Sequence, residues 1–153
     1  MKVATLCYLR SKGKTLLIHR NKREGDLFKD YWNGLGGKVE QGESPEDCVI
    51  REMKEESGLD IKDPQLKGIL TFPNNRDSGE TWYVFLFLAE KFTGDLVEND
   101  EGELIWVKDE EVTKFDIQSA DKIFWEWLSK PEVFSAKFHY EGDILVDHQV
   151  SFY

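Results

Sequence analysis

Cysteine is scarce in this 153-residue chain, and so are histidine and positive charge. The only cysteines, Cys7 and Cys48, give no disulfide framework, which points to a reducing compartment. Three histidines and two cysteines show no zinc-ligand spacing, and His19 reads as a strand residue. Lys and Arg number 20 against 30 Asp and Glu, a net charge of −10. Such a surface repels a phosphodiester backbone, so nucleic-acid polymers are excluded as expected partners. A small anionic ligand stays open if metal cations carry its charge into the site. No apolar run approaches transmembrane length, and "MKVATLCYLRSKGK" is interrupted too soon for a signal peptide. The expectation is a soluble, cytoplasmic protein with no membrane association. Repeats, linkers and low-complexity tracts are also lacking, which suggests one domain over residues 1–153.

What is there is a regular alternation of strand and turn signals. "VATLCYL" and "TLLIHR" flank the polar turn "RSKGK" and read as paired strands. "QLKGILTF" and "TWYVFLFLAE" flank "PNNRDSGE", and the second is apolar almost throughout, as in a central strand. "ELIWV" predicts a short strand, and "VFSAKFHY" with "DILVDHQVSFY" a closing hairpin around Glu141-Gly142. "SADKIFWEWLSK" has amphipathic helical spacing. The fold class read from this is α+β, a mixed sheet with two main helices.

One helix is unusual. Ser44, Pro45 and Asp47 form a capping start and Gly58 a stop, predicting a helix over about Pro45 to Ser57. Helical spacing clusters Glu52, Glu55 and Glu56 beside an apolar stripe of Val49, Ile50 and Met53. Like charges at these spacings repel by about a few tenths of a kcal/mol per pair. Near the helix C-terminus the dipole disfavours them further, and Lys54 points away. A solvated acidic face is one reading. The other is a site for hard cations, Mg²⁺ or Mn²⁺, with water and substrate phosphates completing the shell.

The stretch from Gly37 to Leu59 resembles the Nudix box, Gly-x5-Glu-x7-Arg-Glu-U-x-Glu-Glu-x-Gly-U with U a bulky aliphatic residue. Gly37, Glu43, Arg51, Glu52, Met53, Glu55, Glu56, Gly58 and Leu59 fill every defined position. The resemblance implies an α/β/α sandwich around a mixed sheet and hydrolysis of a nucleoside diphosphate linked to another group. It implies metal ligation by Glu52, Glu55 and Glu56 with a carbonyl of Gly36 or Gly37. Glu43 and Arg51 become orienting residues, and Glu101 resembles an additional acidic ligand or base.

"WNGLGGKVEQGES" and "FSAKFHYEGDILVDHQV" are similar to MutT-type enzymes, above all the animal 8-oxo-dGTP diphosphatases. That likeness implies a base pocket lined by Thr5, Asn33, Phe72 and Asp121, with Leu35, Gly36, Gly37 and Lys38 also meeting substrate. An Asn amide offers both a donor and an acceptor edge to a purine. Arg20, Lys22 and Arg23 of "HRNKR" are expected at the phosphates. Cys48 reads as a small packing residue rather than a nucleophile. The chain departs from these enzymes at "QSAD", where Gln118 and Ala120 replace a Trp and an Asp of the pattern Trp-x-Asp-Asp, and only Asp121 is kept. That departure bears on base selectivity, leaving other nucleoside triphosphates, dinucleoside polyphosphates, nucleotide sugars or a ligand-sensing module as alternatives.

Overall fold

The computed structural model describes residues 1–19, 31–74, 79–97, 100 and 102–153. Strand β1 (Lys2–Ser11) turns at Lys12-Gly13 into β2 (Lys14–His19). Both turn residues have positive φ, 53° and 77°, the geometry that matches the twist of a tight hairpin. These two strands pair only at Arg10–Thr15 and Ser11–Lys14 before they part. From there β2 pairs with β8 (Glu103–Lys108) and with the two-residue β3 (Trp32–Asn33). From Lys2 to Leu9, β1 instead runs parallel to β6 (Trp82–Ala89). The parting leaves the other edge of β1 open at Thr5 and Cys7, and the site is built there.

The remaining strands continue the sheet beyond β6. β5 (Gln65–Phe72) pairs antiparallel with β6 and parallel with β9 (Phe134–Glu141), and β10 (Ile144–Phe152) closes a hairpin on β9. The sheet is therefore mixed, as expected, and β6 is central within it. Strand alternation divides the core into two layers. Ala4, Leu6, Tyr8, Val84 and Leu86 face one way and meet Phe124, Phe134 and Phe138. Cys7, Leu9, Phe87 and Ala89 face the other way and meet Val49 and Met53 of α1 (Pro45–Ser57). Each fully buried Val, Leu, Phe or Met among them is worth about 1.5–3 kcal/mol. Burial on both faces is why β6 shows no polar alternation.

Helix α1 has the expected bounds, with the Ser44–Asp47 capping box formed and Gly58 left-handed at φ 82°. Ile50 leaves the expected stripe and stands 39% exposed, whereas Glu56 is completely buried. The second helix is shorter than predicted: α2 covers Ser119–Phe124, and Trp125–Ser129 tightens into a 3₁₀ turn. Side chains three apart eclipse in that geometry, which brings Phe124 and Trp127 onto the same two rings. Phe134 lies 6.5 and 5.1 Å from them and Phe138 6.3 and 6.4 Å, so tertiary packing outweighs helix propensity here. A small sheet of β4 (Asp60–Lys62) and β7 (Lys91–Thr93) has no counterpart in the sequence reading, because three-residue strands carry too little periodicity. Among the described residues, no helix is long and apolar enough to cross a membrane.

Candidate active site

Residues 35–39 lie along the edge of β1 that β2 abandons. Cys7 and Leu35 exchange backbone hydrogen bonds of 2.6 and 2.9 Å, the Thr5 N–H donates to the Gly37 carbonyl at 2.8 Å, and the Val39 N–H to the Val3 carbonyl at 3.0 Å. This approach needs glycine. A Cβ on Gly36 would stand 2.1 Å from the Thr5 carbonyl oxygen, and one on Gly34 would stand 2.5 Å from that of Cys7. The Gly36 N–H, turned away from β1, donates to Glu56 Oε1 at 2.8 Å. The glycine segment is thus clamped between a strand and the acidic face of α1.

Arg51 organises that face. Its Nε and Nη2 form a two-pronged pair with Glu43 at 2.7 and 2.9 Å, and Nη1 reaches Glu52 at 2.8 Å and Glu55 at 3.2 Å. Nη2 also donates to the Lys38 carbonyl at 3.1 Å. Hydrogen bonds from Arg51, then from the Glu40 N–H, hold the Glu43 carboxyl down at about 2. Glu43 in turn pushes the Arg51 guanidinium above its ordinary value. One shared cation therefore relieves much of the repulsion along the helix, a role Lys54 cannot take because it pairs with Asp60 at 3.1 Å. The three clustered glutamates are not equivalent. Glu56 is sealed against Gly36, the Glu52 side chain is 13% exposed, and that of Glu55 is 54% exposed.

Among the described residues, no three carboxylate, thiol or imidazole groups stand close enough as placed to enclose a metal. The donor chemistry nonetheless fits a hard divalent cation. A Cβ on Gly37 would fall 2.5 to 2.8 Å from the Glu52 carboxylate atoms, so glycine keeps the space over that carboxylate clear. Of the two carbonyls expected as ligands, that of Gly37 is turned into β1 by its bond from Thr5. In an extended segment the N–H and C=O of one residue share an edge, so the Gly36 carbonyl faces the glutamates with its N–H. Glu52, Glu55, Glu56 and the Gly36 carbonyl are the groups here that would hold a cation. Glu101, Arg20, Lys22 and Arg23 lie outside the described residues.

The expected base-pocket residues are only partly gathered. Thr5 points to the α1 face, its hydroxyl 3.3 Å from Cys48 Sγ, because alternation along β1 sends it opposite to Tyr8. Asp121 lies on the other face with Tyr8, whose hydroxyl donates to Asp121 Oδ2. Thr5 and Asp121 therefore do not share a pocket wall, contrary to expectation. Burial raises the Asp121 carboxyl to about 7, against the lowering effect of the Tyr8 hydrogen bond. The Tyr140 hydroxyl accepts the Ala120 N–H at 2.9 Å, and the Tyr140 ring stands 6.3 Å from Phe72. Asn33 is buried, with its amide donating to the Tyr31 carbonyl at 3.2 Å. Leu35 is wholly buried in the α1-side core, while Lys38 is exposed with its ammonium 5.7 Å from the Trp82 ring. Cys48 is buried with Sγ toward the Gly37 and Lys38 carbonyls, and burial raises its thiol, as suits a packing residue.

Tyr8 and Tyr140 are the site residues that the sequence reading passed over. A signal existed for Tyr8: it occupies an inward position of β1 after Ala4 and Leu6, and a buried phenol needs a partner. Trp125, edge-on to Tyr8 at 5.0 Å, and Trp127 are packing aromatics rather than exposed stacking faces.

Comparison with known proteins follows the same outline. The family model of the NUDIX domain matches residues 1–129. The chain is 35% identical over 129 residues to YvcI of Bacillus subtilis, named an uncharacterized Nudix hydrolase, covering 82% of this chain and 78% of that protein. It is 30% identical over 151 residues to the oxidized purine nucleoside triphosphate hydrolase of Danio rerio, covering 97% and 94%. Among solved structures, a mutator MutT protein from Bacillus halodurans superposes with a TM-score of 0.83 at 30% identity, covering 98% and 97%.

Proposed function

This chain belongs to the Nudix hydrolases, and we propose that it cleaves oxidised purine nucleoside triphosphates such as 8-oxo-dGTP to the monophosphate and pyrophosphate, with Mg²⁺ as its metal and Mn²⁺ able to substitute. The pyrophosphohydrolase class follows from the family and the MutT-like fold. The substrate is supported by similarity to the zebrafish enzyme over 97% of this chain, together with the buried Asp121 carboxyl on the face of β1 opposite Thr5.

The observation that carries the chemistry is the graded burial of the three box glutamates around Arg51. Glu56 fixes the backbone of Gly36, and Arg51 aligns Glu52 and Glu55 while tied to Glu43. Glu55 is the most exposed of the three, which supports reading it as the group that would accept a proton from an attacking water. A divalent cation, when bound by these groups, polarises phosphoryl oxygens and acidifies water. A partly neutral Asp121 offers both a donor and an acceptor to a base edge.

Gln118 and Ala120 favour a second reading, the same hydrolysis with another nucleotide, because a stacking ring and a carboxylate of the 8-oxo-dGTP diphosphatase pattern are replaced. A triphosphate panel with Mg²⁺ separates the two. Monophosphate plus pyrophosphate as products, with kcat/KM for 8-oxo-dGTP well above that for dGTP, upholds the first reading. Equal rates on both bases leave the second, and diphosphate plus phosphate would overturn the proposed bond cleavage.

A further inference from the structure

Arg10 stands five residues along β1 from Thr5, on the opposite face, over the ring of Trp125 at 4.7 Å. It lines a cleft of about 730 Å³ together with Gln65, Lys67, Glu90, Ser129 and Lys130. None of these belongs to the glutamate face or to the expected base pocket. The charged lining is three cations against one carboxylate, a net of +2 in a chain whose net charge is −10. Such a concentration of the minority charge in a concave site focuses the local field on anions.

The three cations meet rings or a carbonyl rather than carboxylates among the described residues. Arg10 Nε is buried with no hydrogen-bond partner among the described residues. Glu90 and Asp109 act on Arg10 through space only, without an ion pair among the described residues. Lys67 is 8% exposed, and its ammonium donates to the Lys130 carbonyl, which supplies no countercharge. The Lys130 ammonium lies 4.9 Å from the Phe152 ring. A guanidinium and two lysines lining one cleft suit a phosphate group, and Gln65 and Ser129 in the same lining are neutral donor types.

We propose that this cleft is a second, non-catalytic anion site that takes a phosphate group, carried by inorganic pyrophosphate or by a nucleoside monophosphate. Its occupant is held by Arg10, Lys67 and Lys130, and Glu90 opposes it. The site also touches the base-pocket side through packing: Arg10 lies on Trp125, Trp125 on Tyr8, and Tyr8 on Asp121.

The test is calorimetric titration of the full chain with pyrophosphate and, separately, guanosine monophosphate, at fixed ionic strength and in EDTA so that the glutamate face holds no metal. A dissociation constant of about 1 mM or tighter is expected for at least one of the two. The stronger arm tells whether free pyrophosphate or a nucleotide is the source. Loss of a charge-assisted bond should weaken binding about tenfold in Lys130→Gln and in Arg10→Gln. Glu90→Gln should tighten it several-fold, and Glu55→Gln should leave it unchanged. Lys130 and Glu90 are exposed, so these variants keep the test valid if Arg10→Gln fails to fold. Absence of binding by both ligands in the wild type overturns the proposal. Binding that Glu55→Gln abolishes and Lys130→Gln leaves intact overturns it as well.

Discussion

The backbone N–H of Gly36 donates to the buried carboxylate of Glu56 across 2.8 Å, tying the glycine segment on β1 to the acidic face of α1. This bond separates Glu56 from its neighbours: its charge holds backbone in place, whereas Glu55 faces solvent. The two should therefore respond differently to the same substitution. Glu55→Gln is expected to cut kcat by about 10²-fold or more while changing stability by less than about 0.5 kcal/mol. Glu56→Gln should lose activity comparably and destabilise by about 1 kcal/mol as well, because the buried Gly36 N–H exchanges a charged acceptor for a neutral amide oxygen. Steady-state kinetics and urea unfolding on both variants check this. Wild-type-like turnover by Glu55→Gln at saturating Mg²⁺ would contradict the assignment.

The adjacent glycines Gly36 and Gly37 divide stability from activity in the same way. Gly36→Ala drives a methyl into the Thr5 carbonyl, which is backbone and cannot yield, so a loss of about 1–3 kcal/mol is expected. Gly37→Ala meets only the end of the Glu52 side chain, which can swing aside. That variant should melt near the wild-type temperature and lose activity. Paired melting and rate measurements test the contrast, and a Gly37→Ala enzyme with full activity would sink it.

Divalent cations should raise the melting temperature of protein first stripped with EDTA. Cations bound only by the fold relieve repulsion among Glu52, Glu55 and Glu56 and stabilise by mass action, about 2.7 kcal/mol at a hundredfold excess over Kd. A nucleotide analogue should add to the shift. An unchanged melting curve across millimolar Mg²⁺ would mark the helix as a solvated acidic surface.

Asp121 makes stability depend on pH in a direction opposite to that of most carboxylates. Its carboxyl is raised to about 7 in the fold from an ordinary 3.8. Between those values the folded chain holds a proton that the unfolded chain has released, so this group's contribution falls as pH rises from 3.8 through 7. The slope from a single group is at most about 1.4 kcal/mol per pH unit. Asp121→Asn should flatten it in urea unfolding between pH 4.5 and 7. Tyr8→Phe removes a bond that lowers the carboxyl, so the sloping window should extend to higher pH. A stability profile identical in wild type and Asp121→Asn would refute this account.

Base selectivity is testable at the "QSAD" segment. If Asp121 reads a purine edge, Asp121→Ala should cost about 1–3 kcal/mol in kcat/KM for the preferred base and leave the glutamate chemistry working. Gln118→Trp should act in the opposite sense, adding a stacking face worth about 1 kcal/mol. The measurement is kcat/KM on 8-oxo-dGTP and dGTP for both variants. A discrimination ratio unmoved by Asp121→Ala would remove that residue from base recognition.

Elements whose signals are local were legible in the sequence by itself. The bounds of α1 follow from Ser44, Asp47 and Gly58, because caps act within one turn of chain. The central place of β6 follows from its unbroken apolar run, and the glutamate cluster from helical spacing alone. The tertiary structure decided what depends on contacts distant in the chain. Where β2 parts from β1, Gly36 and Gly37 come to lie between Thr5 and α1, and that placement makes one glutamate a clamp and leaves another facing solvent. The parity of β1 put Thr5 and Asp121 on opposite faces, which no motif spacing records. Packing of Phe124 and Trp127 on Phe134 and Phe138 tightened the second helix after Phe124 against its amphipathic pattern. Local signals survive in a one-dimensional reading because their range is a turn or a pleat. Burial and partner choice do not, because they are set by which strands meet.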